Sequence, residues 1–182
     1  MGNRRLRKVY GTIFPAINML PRSTVVSLFS HDIKRAKSLS EKFGVSSYYD
    51  KYDEFLISDI DAVYVASSNH FHHKQVIQAA RAGKNILCEK PMSMNSSEAE
   101  EMIKVCEENK VLFSVGYVHR FHPLVEKTKA IIDSQMLGKL VSIQVNFNID
   151  FPPGPNFRFS LAKSGGGALR DLGTHMIDLL RY

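Results

Sequence analysis

Four short apolar runs, separated by stretches of helical periodicity, limit what this chain can fold into more than any other feature. Val25 to Phe29, Ala62 to Ala66, Asn85 to Cys88 and Val111 to Val115 are too short and too β-branched for buried helices, and read as strands. Between them Ile33 to Phe43 is stopped by Gly44, Lys74 to Ala82 is stopped by Gly83, and Ser97 to Asn109 completes the helices. Strands that alternate with helices imply a parallel sheet with crossover connections, an α/β fold. The element ends agree. Gly83 offers a left-handed cap, and Asn95-Ser96-Ser97-Glu98 offers a capping side chain ahead of an early acid. Tyr48-Tyr49-Asp50 reads as part of a solvated connection with aromatic packing.

The texture changes near Pro123. A helical stretch runs to about Met136, Gly138 stops it, and Leu140 to Ile149 alternates with period two, as a long half-exposed strand does. The proline-rich Phe151 to Pro155 comes next, and a glycine run leads into a closing helix. The sequence therefore divides into residues 1–122 and 123–182, the second stretch opening another α/β domain.

Composition narrows the function. With 44% hydrophobic and 23% charged residues the chain has the balance of a folded globular protein. No apolar run approaches the ~18 residues of a membrane span. Met1 to Leu6 lacks the apolar core of a signal peptide, so a cytoplasmic location and no membrane partner are expected. Cys88 and Cys106 have no zinc-like spacing and suit buried thiols in a reducing compartment. The net charge of +6 is spread along the chain without a nucleic-acid module, so it suits the phosphates of a small ligand better than nucleic acid. His70-Phe71-His72-His73 has no cysteine or acidic partner at ligand spacing, and no metal site is expected there.

Chemistry concentrates in two places. Ile86-Leu87-Cys88-Glu89-Lys90-Pro91 sets a lysine at the carboxyl end of a buried strand, and the proline forces Lys90 into an extended conformation. Ligands of open α/β sheets bind outside those strand ends, where an ammonium can bond a substrate oxygen and relay its proton. The second is Gly165-Gly166-Gly167-Ala168-Leu169-Arg170-Asp171-Leu172-Gly173-Thr174-His175. On a helix after the glycines, Asp171 and His175 share one face. His175 is then the natural general base, with the carboxylate orienting it and raising its pKa. A dinucleotide site also wants an apolar strand running into a glycine-rich turn. That first strand is not evident, and Gly2 alone stands where a glycine of the turn belongs.

Together, Cys88-Glu89-Lys90-Pro91 and the Gly165 to His175 segment resemble the two hallmark motifs of the Gfo/Idh/MocA oxidoreductases, and Asp61 to Ala66 and Arg81 to Lys84 are in the same style. The resemblance implies an incomplete Rossmann-type parallel sheet, truncated at both ends, with the start of a second α/β domain that often mediates homo-oligomers. It implies hydride transfer between NAD or NADP and a sugar, a cyclitol or a related hydroxyl or carbonyl compound. By position, Lys90 matches the lysine on the reacting oxygen, His175 the acid or base, and Asp171 its orienting carboxylate. Ser67, Asn69 and His72 match the loop that passes the cofactor, with Glu89 near the nicotinamide. Arg120 and His122 fall where they would line the substrate crevice, and Arg158 is a further candidate substrate contact. Ser30 and His31 occupy the place of the usual ribose-binding acid, with Lys34 and Arg35 close behind, so NADP is favoured over NAD. The alternative is a non-catalytic remnant of the family, serving as a scaffold or as a sugar or nucleotide sensor.

Overall fold

The computed structural model describes residues 13–152, 154 and 156–182, so Gly2 lies outside the described residues. Two compact units divide the chain, Met1–Asp61 and Ala62–Tyr182.

In the first unit, residues 13–18 are helical and Phe14 is buried, its ring stacked on Phe43 at 4.5 Å. Strand β1 (Ser27–Phe29) leads to helix α1 (Ile33–Phe43), strand β2 (Ser47–Tyr49) and helix α2 (Tyr52–Leu56). Asp32 caps α1 by accepting from the backbone N–H of Lys34 at 3.0 Å and of Arg35 at 3.3 Å. Gly44 ends it in the left-handed conformation at φ 66°, which glycine adopts without a Cβ clash. The crossover returns the chain parallel to β1, with Ser27 opposite Ser47 and Phe29 opposite Tyr49. Tyr48 and Tyr49 thus belong to a strand and not to a solvated connection. Three residues are too few to print an alternating pattern, and aromatic contacts reinforce the ladder: Phe29 meets Tyr52 edge-on at 4.9 Å, and Tyr49 faces Phe55.

The second unit carries a parallel sheet in the order β3 (Ala62–Val65), β4 (Asn85–Cys88), β5 (Phe113–Val115). Helix α3 (His72–Arg81) joins β3 to β4, and helix α4 (Ser96–Glu108) joins β4 to β5. On α3, His72, Gln75, Val76, Ala79 and Ala80 are buried, the spacing of one helical face. It packs on α4, whose Met102, Val105 and Cys106 repeat the spacing. Val76 and Met102 are fully covered, and each such side chain contributes about 2 kcal/mol of burial. Among the described residues the strands thus form two separate parallel sheets, a two-stranded and a three-stranded one.

The register sets Val65 opposite Cys88 and Cys88 opposite Val115, so the three strands end abreast. Residues just past the strand ends therefore gather at one edge of the sheet: Ser67 to Asn69, Glu89 and Lys90, and Gly116 to Arg120. Helix α5 (Pro123–Asp133) comes next, then α6 (Leu161–Ser164), a π-helical turn at Leu169–Gly173, and α7 (Thr174–Arg181). The expected strand from Leu140 to Ile149 does not form. Those residues are exposed and enter no ladder among the described residues, because alternation alone gives a strand no partner for its backbone groups.

Candidate active site

Lys90 leaves the end of β4 through a cis bond to Pro91, and its side chain is only 13% exposed. The ammonium donates to Asp171 twice, to Oδ1 at 2.8 Å and to the main-chain carbonyl. The other carboxylate oxygen of Asp171 accepts from Arg158 Nε at 2.9 Å. Asp171 is thus a bridge between two cations. Burial pushes its carboxyl up, but the hydrogen bond and charge of Lys90, with the charge of Arg158, outweigh burial and hold it below the usual value of 3.8.

His175 sits on α7 and is 8% exposed, near enough to Lys90 for that charge to bear on its titration. Its pKa is lowered to about 4, first by burial, then by Lys90 and His119, against the opposing pull of Asp171 and Asp178. Asp171 does pull the His175 pKa up, but burial, Lys90 and His119 outweigh it. Asp171 lies in a π turn over Leu169–Gly173, and its two carboxylate oxygens are taken by Lys90 and Arg158. Among the described residues, the buried Nδ1 of His175 has no hydrogen-bond partner. At neutral pH the ring is an uncharged base.

The loop after β5 supplies neighbours that sequence reasoning did not single out. Tyr117 and His119 stand edge-on to the His175 ring, with centroids 6.1 and 4.5 Å away. The Tyr117 hydroxyl pairs with Thr174 Oγ1 at 2.9 Å.

A cavity of about 420 Å³ opens beside Asp171. Phe147, Ile149, Phe151, Phe159 and Leu172 give it apolar walls, and Asn69, Arg158 and Asp171 bring polar groups to it. Small ligands are oriented by such sparse polar groups in an apolar hollow. Lys90 and His175 are not among its lining residues, and neither is Arg120. Arg120 grips the buried carboxylate of Asp178 through Nε at 2.8 Å and through a second guanidinium nitrogen. His122 is also placed elsewhere: its Nδ1 accepts from the N–H of Leu124 and caps α5, a role the adjacent Pro123 announces.

The loop after β3 is tied down from several sides. Ser67 Oγ donates to Gln75 Oε1 at 2.7 Å, and buried Asn69 donates to the carbonyl of Ser164 at 2.8 Å. His72 is 1% exposed, with Nδ1 2.9 Å from the carbonyl of Pro91 and Nε2 3.2 Å from that of Ser67. Burial lowers its pKa in spite of both carbonyls, so the neutral ring carries one N–H, placed at the shorter contact. One N–H serves one carbonyl, so His72 ties the start of α3 to Pro91, and at 1% exposure its ring is covered by the protein. Glu89 is likewise held within the protein, accepting from the Tyr64 hydroxyl and from the N–H of Lys90 at 3.2 Å. In the first unit, Ser30 Oγ accepts from the N–H of Asp32 at 3.2 Å.

Parallel strands crossed by helices, with the polar side chains gathered beyond their carboxyl ends, define a Rossmann-like α/β protein. The family described as the oxidoreductase family with NAD-binding Rossmann fold matches residues 10–117, and the GFO/IDH/MocA C-terminal domain matches residues 125–182. The chain belongs to the Gfo/Idh/MocA oxidoreductases.

Among its relatives, the trans-1,2-dihydrobenzene-1,2-diol dehydrogenase of Xenopus tropicalis is 28% identical over 176 residues, 95% of this chain and 53% of that protein. The D-xylose 1-dehydrogenase (NADP(+)) 2 of Haloferax volcanii is 29% identical, over 93% of this chain and 52% of that one. Among solved structures, levoglucosan dehydrogenase in complex with NADH and levoglucosan superposes with a TM-score of 0.83 at 27% identity, covering 100% of this chain and 51% of its own. A 3-ketoreductase from Actinomadura kijaniata with NADP and TDP-benzene gives 0.82 at 30% identity, covering 90% and 50%. The chain spans about half the length of the relatives it matches.

Proposed function

We propose that this protein is an NAD(P)-dependent oxidoreductase that moves hydride between a nicotinamide and a sugar, a cyclitol or a related cyclic hydroxyl or carbonyl compound. The observation that carries this reading is the bond of Lys90 to Asp171, a residue of the cavity wall, with His175 near enough for both charges to bear on its titration, beyond the carboxyl end of β4. The residues fit a nicotinamide cofactor. Ser67 and Lys90 come after adjacent parallel strands that end abreast, where this fold class takes its ligands, and the buried Nδ1 of His175 has no partner among the described residues. Bound there, the cofactor would accept or return a hydride.

The remaining chemistry belongs to the protein. Lys90, fixed by Asp171, donates a hydrogen bond to the reacting oxygen and stabilises the negative charge it develops. Neutral His175 takes the hydroxyl proton as the carbinol is oxidised, and proton transfer of this kind is worth roughly 10²–10⁴-fold in rate. Arg158 both holds Asp171 and lines the cavity, which suits it to a substrate oxygen. Asn69 is a proposed cofactor-side contact along with Ser67 and Glu89. Residues 1–122 are proposed as the nucleotide-binding part and residues 123–182 as the opening of the substrate part.

For the first unit we propose Ser30 and His31 as contacts of the adenosine ribose. NADP is favoured because the carboxylate of Asp32 is committed to capping α1. Tighter binding of NADH than of NADPH in a fluorescence titration would end that preference. The proposed setting is the cytoplasm, in keeping with two buried free thiols, and the proposed state is a homo-oligomer. No helix among the described residues is long and apolar enough to cross a membrane. Cofactor-dependent turnover across a panel of sugars, cyclitols and cyclic diols tests the assignment. Activity with a panel member that Lys90→Ala abolishes is expected, and turnover unaffected by that change refutes the role of Lys90.

A further inference from the structure

A catalytic imidazole usually has one nitrogen bonded to a partner that fixes the ring, yet Asp171 is taken by Lys90 and Arg158, and the buried Nδ1 of His175 has no partner among the described residues. The ring's close neighbours are aromatic instead. His119 stands perpendicular to it at 4.5 Å, and Tyr117 stands edge-on at 6.1 Å.

The two contacts are not incidental to the backbone. The segment after β5 is fastened to α7 on both sides of residue 175: the Tyr117 hydroxyl pairs with Thr174, and Arg120 binds Asp178 through two nitrogens. Residues 174, 175 and 178 share one helical face, so these bonds hold that face against residues 117 to 120. His119 lies between the two fastenings and is backed on another side by Phe147 at 6.2 Å.

We propose that His119 is a positioning residue: its ring, braced by the segment 117–120, fixes the orientation of His175 and keeps water from it, in place of the expected carboxylate. This rests on the reading of His175 as the base. Edge-to-face ring pairs prefer this geometry and are worth more than their buried area alone. The charged or titratable groups that bear on the His175 ring are Lys90, His119, Asp171 and Asp178. Removal of the His119 ring adds water to that set.

The test compares His119→Ala, which removes the ring, with His119→Phe, which keeps its edge and discards its nitrogens. In the full chain with NADPH or NADP and the panel substrate, the alanine variant is expected to lose at least tenfold in kcat with KM within twofold. The phenylalanine variant is expected to recover kcat to within threefold of the parent. Equal losses in both variants overturn the proposal, because the nitrogens and not the ring then matter; no loss in either overturns it as well. A second readout needs no turnover. In histidine-labelled protein followed by NMR, the His175 ring of the alanine variant is expected to titrate at least one pH unit higher than in the parent, and that of the phenylalanine variant within half a unit. A His175 ring that titrates alike in the parent and the alanine variant overturns the proposal. A parent without turnover on any panel compound speaks against the assigned function, while this titration still decides the role of His119.

Discussion

Replacement of Asp171 by asparagine keeps the shape of the side chain and removes the charge shared by Lys90 and Arg158. At 2.8 Å, the Lys90–Asp171 attraction amounts to about 6 kcal/mol for an effective dielectric constant near 20. Most of that is spent on desolvating an ammonium whose side chain is 13% exposed. Asp171 and Arg158 are 28% and 32% exposed, so their part is further screened. The net destabilisation expected for Asp171→Asn is about 2 kcal/mol at pH 7, read from urea unfolding. The sign with pH comes from the lowered carboxyl: its contribution is complete above the ordinary value of 3.8 and is lost as the pH falls through the lower folded value. The parent and the variant should therefore converge in acid. A double-mutant cycle with Lys90→Met should return a coupling above about 1 kcal/mol. A difference under about 0.5 kcal/mol at pH 7, or one that persists unchanged below about pH 3, refutes the bridging role of Asp171.

The same geometry implies three further outcomes. Because the His175 pKa falls from 6.5 to about 4, its neutral burial supports the fold fully above pH 6.5, and roughly 3 kcal/mol is lost as the pH drops to about 4; a His175→Asn variant should flatten that part of the stability curve, and the same slope in both proteins would rule it out. His72→Ala removes a fully buried ring and its bond to the Pro91 carbonyl, and should cost about 3 kcal/mol by thermal unfolding, while a surface-like loss of a few tenths would contradict its role as a tie. Arg120→Met leaves the carboxylate of Asp178, 8% exposed, without its cation, and should destabilise by about 3 kcal/mol, with Arg120→Met/Asp178→Leu recovering part of the loss in the same assay.

The sheet and its site were legible to different degrees. Strands β3 and β4 showed as short apolar runs on either side of a helix that a glycine stops, and the cap at Asn95 formed as its spacing implied, with Asn95 accepting from Glu98 N–H at 2.9 Å. Lys90 was legible because a strand end next to a proline fixes where a side chain goes. Strand β2 was not, since three residues of Ser-Tyr-Tyr carry no periodicity and owe their state to pairing with β1. Leu140 to Ile149 erred the other way, alternating as a strand does yet meeting no partner. The partner of Asp171 could not be read from its spacing to His175, because Lys90, 81 residues away, and Arg158 claim its two oxygens through contacts that local spacing does not show. His119 was hidden for another reason: its contact is set by the fastening of two distant segments, at Thr174 and Asp178, and not by local spacing.

The most direct measurement is a crystal structure of the protein with an oxidised nicotinamide and a turnover-competent polyol or diol. Both Lys90 Nζ and a ring nitrogen of His175 are predicted within about 3.2 Å of a single substrate oxygen, whose carbon faces the nicotinamide. A substrate oxygen bonded to neither group, or to groups outside the Lys90, Asp171 and His175 cluster, would contradict the account.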